Sequence, residues 1–440
     1  MQSWIKITCI LCLFGTLREI RPSEPFVTEF LSGKWRNITT EQLNRDVYPV
    51  GTYSYLSQLV LVFLITDFVR FKPVIVLSGL SGISVYAVLL WTTSLEWLQV
   101  SQFLYGLYMA TEVAYLTYIY AKVEPDKYPK VSSYTRMAAL TGRFLSGGSS
   151  QLLVMYGVMD YRELNYITFS AQILATCWAF LLPAVPYGIY FHRNTAATAD
   201  STPIKTPPRS LRTHVTDACV LVSRHARAAY SRGGVVAWSA LYAAALALFV
   251  QTQTYVQLLW AEIQREGGDS IAYNGAVEAV QTLLGALGAL IASWSANTWA
   301  PAPAAAVQAM AVFAGARAGN IFVAYAGYIV MGMLFHYTIT LASAKIASQL
   351  TDDSCFGLIF GINTLLGTGL QSIFTLVLIQ TLSLSIYTQY YSISVMFLVL
   401  SLAWLLGWIV HVCRQNQTVS INNQLYEGEM TSPKKNTMES

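Results

Sequence analysis

Phe103-Leu104-Tyr105-Gly106-Leu107-Tyr108-Met109-Ala110-Thr111-Glu112-Val113-Ala114-Tyr115-Leu116-Thr117-Tyr118-Ile119-Tyr120 is an apolar, aromatic run interrupted by one carboxylate, Glu112, with no cation beside it in sequence. Its length and composition predict a membrane-spanning helix. An ionisable side chain in such a helix costs at least ~2.5 kcal/mol, so it faces a pathway or a partner. Tyr105, Tyr108, Glu112, Tyr115 and Ile119 follow 3-4-3-4 steps and so share one helix face. A carboxylate flanked by phenol rings suits an organic cation, through ion pairing and cation–π contact.

The rest of the chain has the same character. Of its 440 residues 54% are hydrophobic and only 11% charged, and the mean hydropathy is +0.45. Soluble domains carry about 25% charged residues, so the composition predicts an all-α polytopic membrane protein. Apolar stretches centred near Leu13, Leu61, Leu80, Met109, Leu145, Leu174, Ala247, Leu287, Ala311, Val330, Leu366 and Leu400 predict about twelve transmembrane helices. The six cysteines are scattered through or beside these stretches, and their spacing makes no disulfide or zinc framework. Nothing points to a metal, a cofactor or nucleic acid.

The net charge of +4 matters through its placement. Between Phe191 and Arg232 seven basic residues stand against two acidic ones, and Pro203, Pro207 and Pro208 oppose regular structure. The positive-inside rule puts this loop in the cytosol, together with the loops holding Arg70 and Lys72 and holding Lys122, Lys127 and Lys130. Alternation then makes both termini cytosolic. The expected organisation is a six-helix half over 1–190, a basic cytosolic loop over 191–233, a second six-helix half over 234–412 and a disordered tail over 413–440. Two six-helix halves around a cavity form the major-facilitator architecture. Asn37-Ile38-Thr39 is a sequon on the outer side in this topology, so Asn37 is a glycosylation candidate; Asn416-Gln417-Thr418 falls in the cytosolic tail and is expected to go unused.

Ile5 to Leu17 could be read as a signal peptide, but its basic n-region is only Lys6 and no small-residue cleavage site is clear. Beyond it, Arg18-Glu19-Ile20-Arg21-Pro22-Ser23-Glu24-Pro25-Phe26 interrupts the first span with charges and two prolines. One reading is a broken helix whose polar groups line the cavity; the other is a helix that ends at Leu17.

Specific motifs resemble the reduced-folate and thiamine carriers, a branch of the major-facilitator superfamily. They are Arg21-Pro22-Ser23-Glu24-Pro25-Phe26, Thr52-Tyr53-Ser54-Tyr55-Leu56, Thr66-Asp67-Phe68-Val69-Arg70-Phe71-Lys72-Pro73-Val74, Tyr273-Asn274-Gly275-Ala276-Val277-Glu278-Ala279 and Phe360-Gly361-Ile362-Asn363-Thr364, in the family's order from about Leu13 to about Leu400. The resemblance implies that the Glu112 position is acidic in thiamine carriers and basic in vertebrate folate carriers. It also implies that folate carriers place cations where this chain has Gly332 and Gln371, which favours thiamine. Three departures stand against that. Gly51 replaces a Trp of the thiamine carriers, Thr254 stands where an Asn is expected on the seventh helix, and Arg143 replaces an aromatic.

Arg143 bears on Glu112. Counted from the expected cytosolic ends of their helices, the two residues lie at depths of ~18 and ~14 Å, close enough to meet. They could form an internal pair, a gate that substrate or proton must break, or two contacts to one zwitterionic substrate. Tyr115 and Tyr108 share the Glu112 face and are candidate ring contacts, with plain helix packing as the alternative. Glu278 is expected to line the cavity or bind a proton; Glu24 either binds or pairs with Arg18 or Arg21. The resemblance makes Tyr48 an aromatic pocket residue and places Thr254 in the same site. Asp67, Arg70 and Lys72 form an acidic-basic loop expected to steady one conformation. His336 is expected to be packed, and Lys345 to lie near the inner surface.

Together these readings predict a secondary-active plasma-membrane carrier for a water-soluble vitamin, with thiamine favoured and reduced folate as the alternative. Intramembrane carboxylates make protons the candidate coupling ion, and no G-x-x-x-x-G-K-[ST] pattern points to ATP. A non-transporting receptor on the same scaffold is the alternative of another class. An enzyme is not expected, because no nucleophile motif or paired catalytic carboxylates are present.

Overall fold

The computed structural model describes residues 3–36, 38–123, 127–184, 220, 223–267, 272–295, 297–350 and 356–431, and among them the chain is all helix and connection, with no strand. Asn37 and most of the basic loop, residues 191–219 and 221–222, lie outside the described residues. Of the side chain of Asp67 nothing is described.

The first apolar stretch forms α1, Ser3–Glu19. It stops at the charged, proline-containing segment. A 3-10 turn at Glu24–Phe26 and a short α2, Val27–Ser32, then continue the path. The first apolar stretch is therefore broken, as the two prolines and the four charges Arg18, Glu19, Arg21 and Glu24 require: each proline lacks an N–H, and the charged groups need partners that lipid does not supply.

After α2 come α3, Tyr48–Val69, α4, Phe71–Trp91, α5, Leu95–Ala110, and α6, Glu112–Lys122. Then follow α7, Tyr128–Met155, and α8, Tyr161–Ala179. Beyond the basic loop the chain forms α9, Gly233–Gly267, α10, Asn274–Trp294, α11, Pro301–Arg317, α12, Ile321–Ala347, α13, Phe356–Phe374, and α14, Ile386–Thr431. Local chemistry sets several starts. Asp160 accepts from the N–H groups of Arg162 and Glu163, while Glu163 accepts from Asp160 N, a reciprocal cap that opens α8. Ser94 and Asn320 cap α5 and α12 through single side-chain acceptors.

All twelve apolar stretches read from the sequence lie on helices. By length and composition alone, six helical segments among the described residues qualify as spans: Phe71–Trp91, Gly233–Gly267, Asn274–Trp294, Ile321–Ala347, Gly357–Thr381 and Ile386–Arg414. Short length, as in α1, or polar content, as in α7, keeps others below that standard. The tail expected to be disordered from residue 413 is instead helical to Thr431. Trp408 to Glu427 contains neither Pro nor Gly, so nothing in it breaks the helix.

Helices before residue 184 pack chiefly on one another, as α3 on α5, α1 on α7 and α4 on α8; α10 on α12, α11 on α14 and α9 on α13 do the same after residue 233. The two sets meet along α7 with α10 and along α3 with α13. At the first seam the backbones touch: a side chain on Gly147 would bring its Cβ within 2.7 Å of Gly275 O and 3.0 Å of Ala279 N. Gly147 is what permits that approach.

Candidate functional site

Between the two sets lies a cavity of about 280 Å³, near the lower end of the roughly 300–1,000 Å³ typical of small-molecule sites. The helices before residue 184 contribute Glu19, Arg21, Glu24, Tyr48, Tyr55, Tyr86, Tyr105 and Arg143 to its wall. Those after residue 233 contribute Phe249, Gln253, Thr254, Gln257, Glu278, Gln281, His336 and Gln371.

Glu19 is the centre of the first wall. It is 3% exposed and takes Arg143 Nε at 2.6 Å, Arg21 Nη2 at 2.8 Å and Arg18 Nη1 at 3.1 Å. Arg21 also holds Glu24 at 2.8 Å, and Glu24 accepts the Tyr105 hydroxyl at 2.7 Å. Arg18 lies over the Tyr108 ring at 4.4 Å and donates to Tyr108 O at 3.1 Å. Three guanidiniums and the carboxylates of Glu19, Glu24 and Glu112 thus form one connected cluster. Its charges balance, which is the condition for burying so many of them.

Glu112 and Arg143 do not pair. Glu112 Oε2 lies 3.3 Å from Arg18 Nη1, and Arg143 is bound to Glu19 instead. Two features redirect them. The broken first span inserts Arg18 and Glu19 between the helices that carry the two residues, and the Glu112 helix is itself interrupted at Thr111. The Thr111 hydroxyl donates to Leu107 O and Tyr108 O, separating α5 from α6. The single face expected through Tyr105, Tyr108, Glu112, Tyr115 and Ile119 is therefore divided. Tyr105 lines the cavity; Glu112, Tyr108 and Tyr115 do not. Tyr108 is 1% exposed beneath Arg18, and its hydroxyl donates to Arg18 O at 3.0 Å. Tyr115 packs on α1, against Phe14 at 5.2 Å and with its hydroxyl on Leu11 O at 3.1 Å.

The other candidates do line the cavity. Tyr48 contacts the Tyr255 ring edge-on at 5.9 Å, and its hydroxyl shares a 2.8 Å bond with Thr28. Thr254 returns its hydroxyl to Val250 O at 2.7 Å. Glu278 accepts the Tyr328 hydroxyl at 3.0 Å and, among the described residues, has no ion pair. Where the resemblance implied a lost aromatic at Gly51, Gln102 fills the space, its Oε1 2.6 Å from where a Cβ would stand. Gln281 likewise occupies the room beside Gly332. His336 reaches the cavity while its ring packs on Phe335 at 5.2 Å and Phe249 at 5.9 Å. At the other end of the bundle, Lys72 Nζ donates to Phe180 O at 2.8 Å, and Arg70 alone joins α3 to α4 at φ 74° and ψ 164°, a conformation costly for a side-chain-bearing residue.

A group of hydrogen bonds between the two sets of helices lies towards the face that carries residues 33–47. Gln257 bonds Thr28 N and Glu24 O at 3.1 and 2.8 Å. Gln151 bonds Ala272 O and Ala276 N at 3.1 and 3.2 Å. Asn274 donates to Glu29 at 2.7 Å, and Tyr53 to Gln380 at 2.9 Å. These contacts hold the two sets of helices together towards that face.

Residues 2–392 match the Reduced folate carrier family model. The chain belongs to that family. It is 34% identical to thiamine transporter 2 of Homo sapiens, over 90% of this chain and 87% of that one. It is 33% identical to folate transporter 1 of Caenorhabditis elegans, over 88% of each chain, and 32% identical to the human reduced folate transporter, over 95% and 74%. Among solved structures it is similar to a POT family transporter in complex with a thioalcohol-conjugated peptide, with TM-score 0.66 and 11% identity over 91% and 95% of the two chains. A D-xylose-proton symporter aligns with TM-score 0.62 and 12% identity over 92% and 97%. The fold is that of major-facilitator transporters, and this family member is a multi-pass membrane carrier protein, not an enzyme.

Proposed function

We propose that this carrier moves a water-soluble vitamin across the plasma membrane by alternating access, with thiamine as its leading substrate. The observation that carries the reading is Glu278, a cavity carboxylate whose described partner is a phenol rather than a cation. A buried carboxylate without a counter-charge is stabilised by an incoming cation or proton. The lining as a whole supports a cation: Glu19, Glu24 and Glu278 stand against Arg21 and Arg143, with Tyr48, Tyr55, Tyr86 and Tyr105 supplying ring faces. Thiamine's thiazolium ring meets those requirements, and relatives named thiamine transporters are about a third identical to this chain.

In this reading the chain has twelve spans in two halves, 1–190 and 234–412, with cytosolic termini and the basic loop 191–233 inside. The face carrying residues 33–47, including the Asn37 sequon, then lies outside, and the conformation is closed outward. Gln257, Gln151 and Asn274 would release for the outward-open state, and Asp67, Arg70 and Lys72 would engage on the opposite face. Glu278 is the candidate proton site, and Tyr48, Tyr105, Glu24 and Thr254 are candidate substrate contacts. Reduced folate is the second reading, favoured by the Arg143 guanidinium in the cavity wall.

Uptake of labelled thiamine and labelled reduced folate by cells expressing the chain, beside Glu278→Gln at matched surface abundance, tests the proposal. Saturable thiamine uptake that falls at least ~10-fold in the variant is expected. Folate uptake alone, unaffected by Glu278→Gln, would replace thiamine with folate.

A further inference from the structure

The ion cluster leaves one group partly unused. Arg143 touches Glu19 through Nε alone, and among the described residues its Nη1 and Nη2 make no hydrogen bond. The side chain is 40% exposed and lines the cavity, whereas Arg18 and Arg21, at 3% and 5%, are enclosed by the cluster. Glu19 is held by both of those arginines as well, so it does not depend on Arg143 alone. One turn beyond, Gly147 brings α7 against α10, the helix that carries Glu278. A guanidinium fork and an unpaired carboxylate therefore border one small cavity from facing helices.

We propose that Arg143 is an oxyanion subsite: the end-on pair Nη1 and Nη2 takes two oxygens of a carboxylate or phosphate monoester on a substrate whose cationic group sits towards Glu278 and Glu24. This rests on the carrier reading and narrows its substrate to a molecule bearing both charges. The chemistry follows from the planar fork, which matches two oxygens at once and holds its donors in a fixed plane, as a lysine ammonium does not. Held by Nε, the fork is oriented before the ligand arrives, so little side-chain freedom is lost on binding. An anion without a cationic group would still meet Glu24 and Glu278. That repulsion excludes simple anions and makes the site selective for the paired-charge form.

Equilibrium binding to the purified full-length carrier tests the subsite, with thiamine, thiamine monophosphate and 5-methyltetrahydrofolate as probes. In the wild type thiamine monophosphate is expected to bind more tightly than thiamine. Arg143→Gln is expected to lower the affinity for thiamine monophosphate relative to thiamine by ~10- to 100-fold, the scale of charge-assisted hydrogen bonds. Arg143→Lys is expected to recover only part of that ratio. Weaker wild-type binding of the monophosphate than of thiamine would overturn the phosphate form of the subsite even if the variants failed to fold. If neither thiamine compound binds, the thiamine reading fails; a loss of at least ~10-fold in folate affinity on Arg143→Gln would then keep Arg143 as a carboxylate contact but overturn the paired-charge selectivity, because 5-methyltetrahydrofolate carries no cationic group. An unchanged ratio in the thiamine arm, with no loss in the folate arm, would overturn the proposal.

Discussion

The wall built before residue 184 holds its charges against one another, whereas the wall built after residue 233 holds one carboxylate among amides. In the first, Glu19 alone contacts three arginines, and Glu24 is bound by Arg21 and Tyr105. In the second, Glu278 has Tyr328, with Gln253, Gln257, Gln281 and Gln371 along the same lining. Charge density is therefore a poor guide to where a ligand is attracted. Charges that satisfy one another tie the segment after α1 into the bundle, and in the proposed function it is the sparser wall that attracts the substrate.

The largest test of this contrast is Glu19→Gln. Removing the shared carboxylate leaves Arg18, Arg21 and Arg143 competing for weaker partners, and a cost of about 3–5 kcal/mol is expected. A large fall in thermal stability of the detergent-solubilised protein is the expected readout. Unaltered stability would mean that the cluster is not what holds the first wall.

Gly147→Leu attacks the seam between the walls. Its side chain meets Gly275 O and the Ala279 backbone, so α7 and α10 must separate. Overpacking of this kind costs about 1–3 kcal/mol. Cross-linking of cysteines introduced at Gln151 and Ala276, which are hydrogen-bonded across the seam at 3.2 Å, should fall with it, and undiminished cross-linking would show that the seam tolerates the leucine.

Tyr328→Phe removes the described hydrogen bond to Glu278 while retaining the ring. A neutral bond contributes about 0.5–1.5 kcal/mol. Thiamine affinity should therefore change by less than about tenfold, well below the effect of losing the carboxylate. An equal effect would mean that the phenol, not the carboxylate, governs binding.

The smallest effect is expected at Glu112, once the obvious cation site. Its carboxylate is 27% exposed and contacts Arg18, which keeps Glu19 and the Tyr108 carbonyl and ring. Discounted for exposure, Glu112→Gln should cost no more than about 1 kcal/mol. Thiamine uptake should remain within a few-fold of wild type, and its abolition would return Glu112 to the binding site.

Glu112 also marks the limit of what the chain discloses before folding. The helical class and all twelve apolar stretches were legible because hydropathy is a local property. Pro22 and Pro25 beside four charges announced the break after the first apolar stretch for the same reason. Glu24, Tyr48, Arg143, Thr254 and Glu278 were named as candidates and do line the cavity. Partnerships were less accessible. The 3-4-3-4 spacing places residues on a face but does not say that Thr111 interrupts it or that Arg18 arrives from a distant helix. Glu19 was visible only as one charge among several in a broken span; its three contacts come from two segments 122 positions apart between Arg21 and Arg143 and exist only in the folded bundle. Gln102 beside Gly51 and Gln281 beside Gly332 went unnoticed because compensation for a small residue is a three-dimensional fact.

The most direct measurement of the central claim is equilibrium binding of thiamine to the purified wild-type carrier and to Glu278→Gln, each confirmed as folded by thermal unfolding. Wild-type binding with at least ~10-fold loss in the variant is predicted, the scale of a hydrogen-bonded charge contact. Equal thiamine affinity in the two proteins would contradict the assignment of the cavity's cation attraction to Glu278.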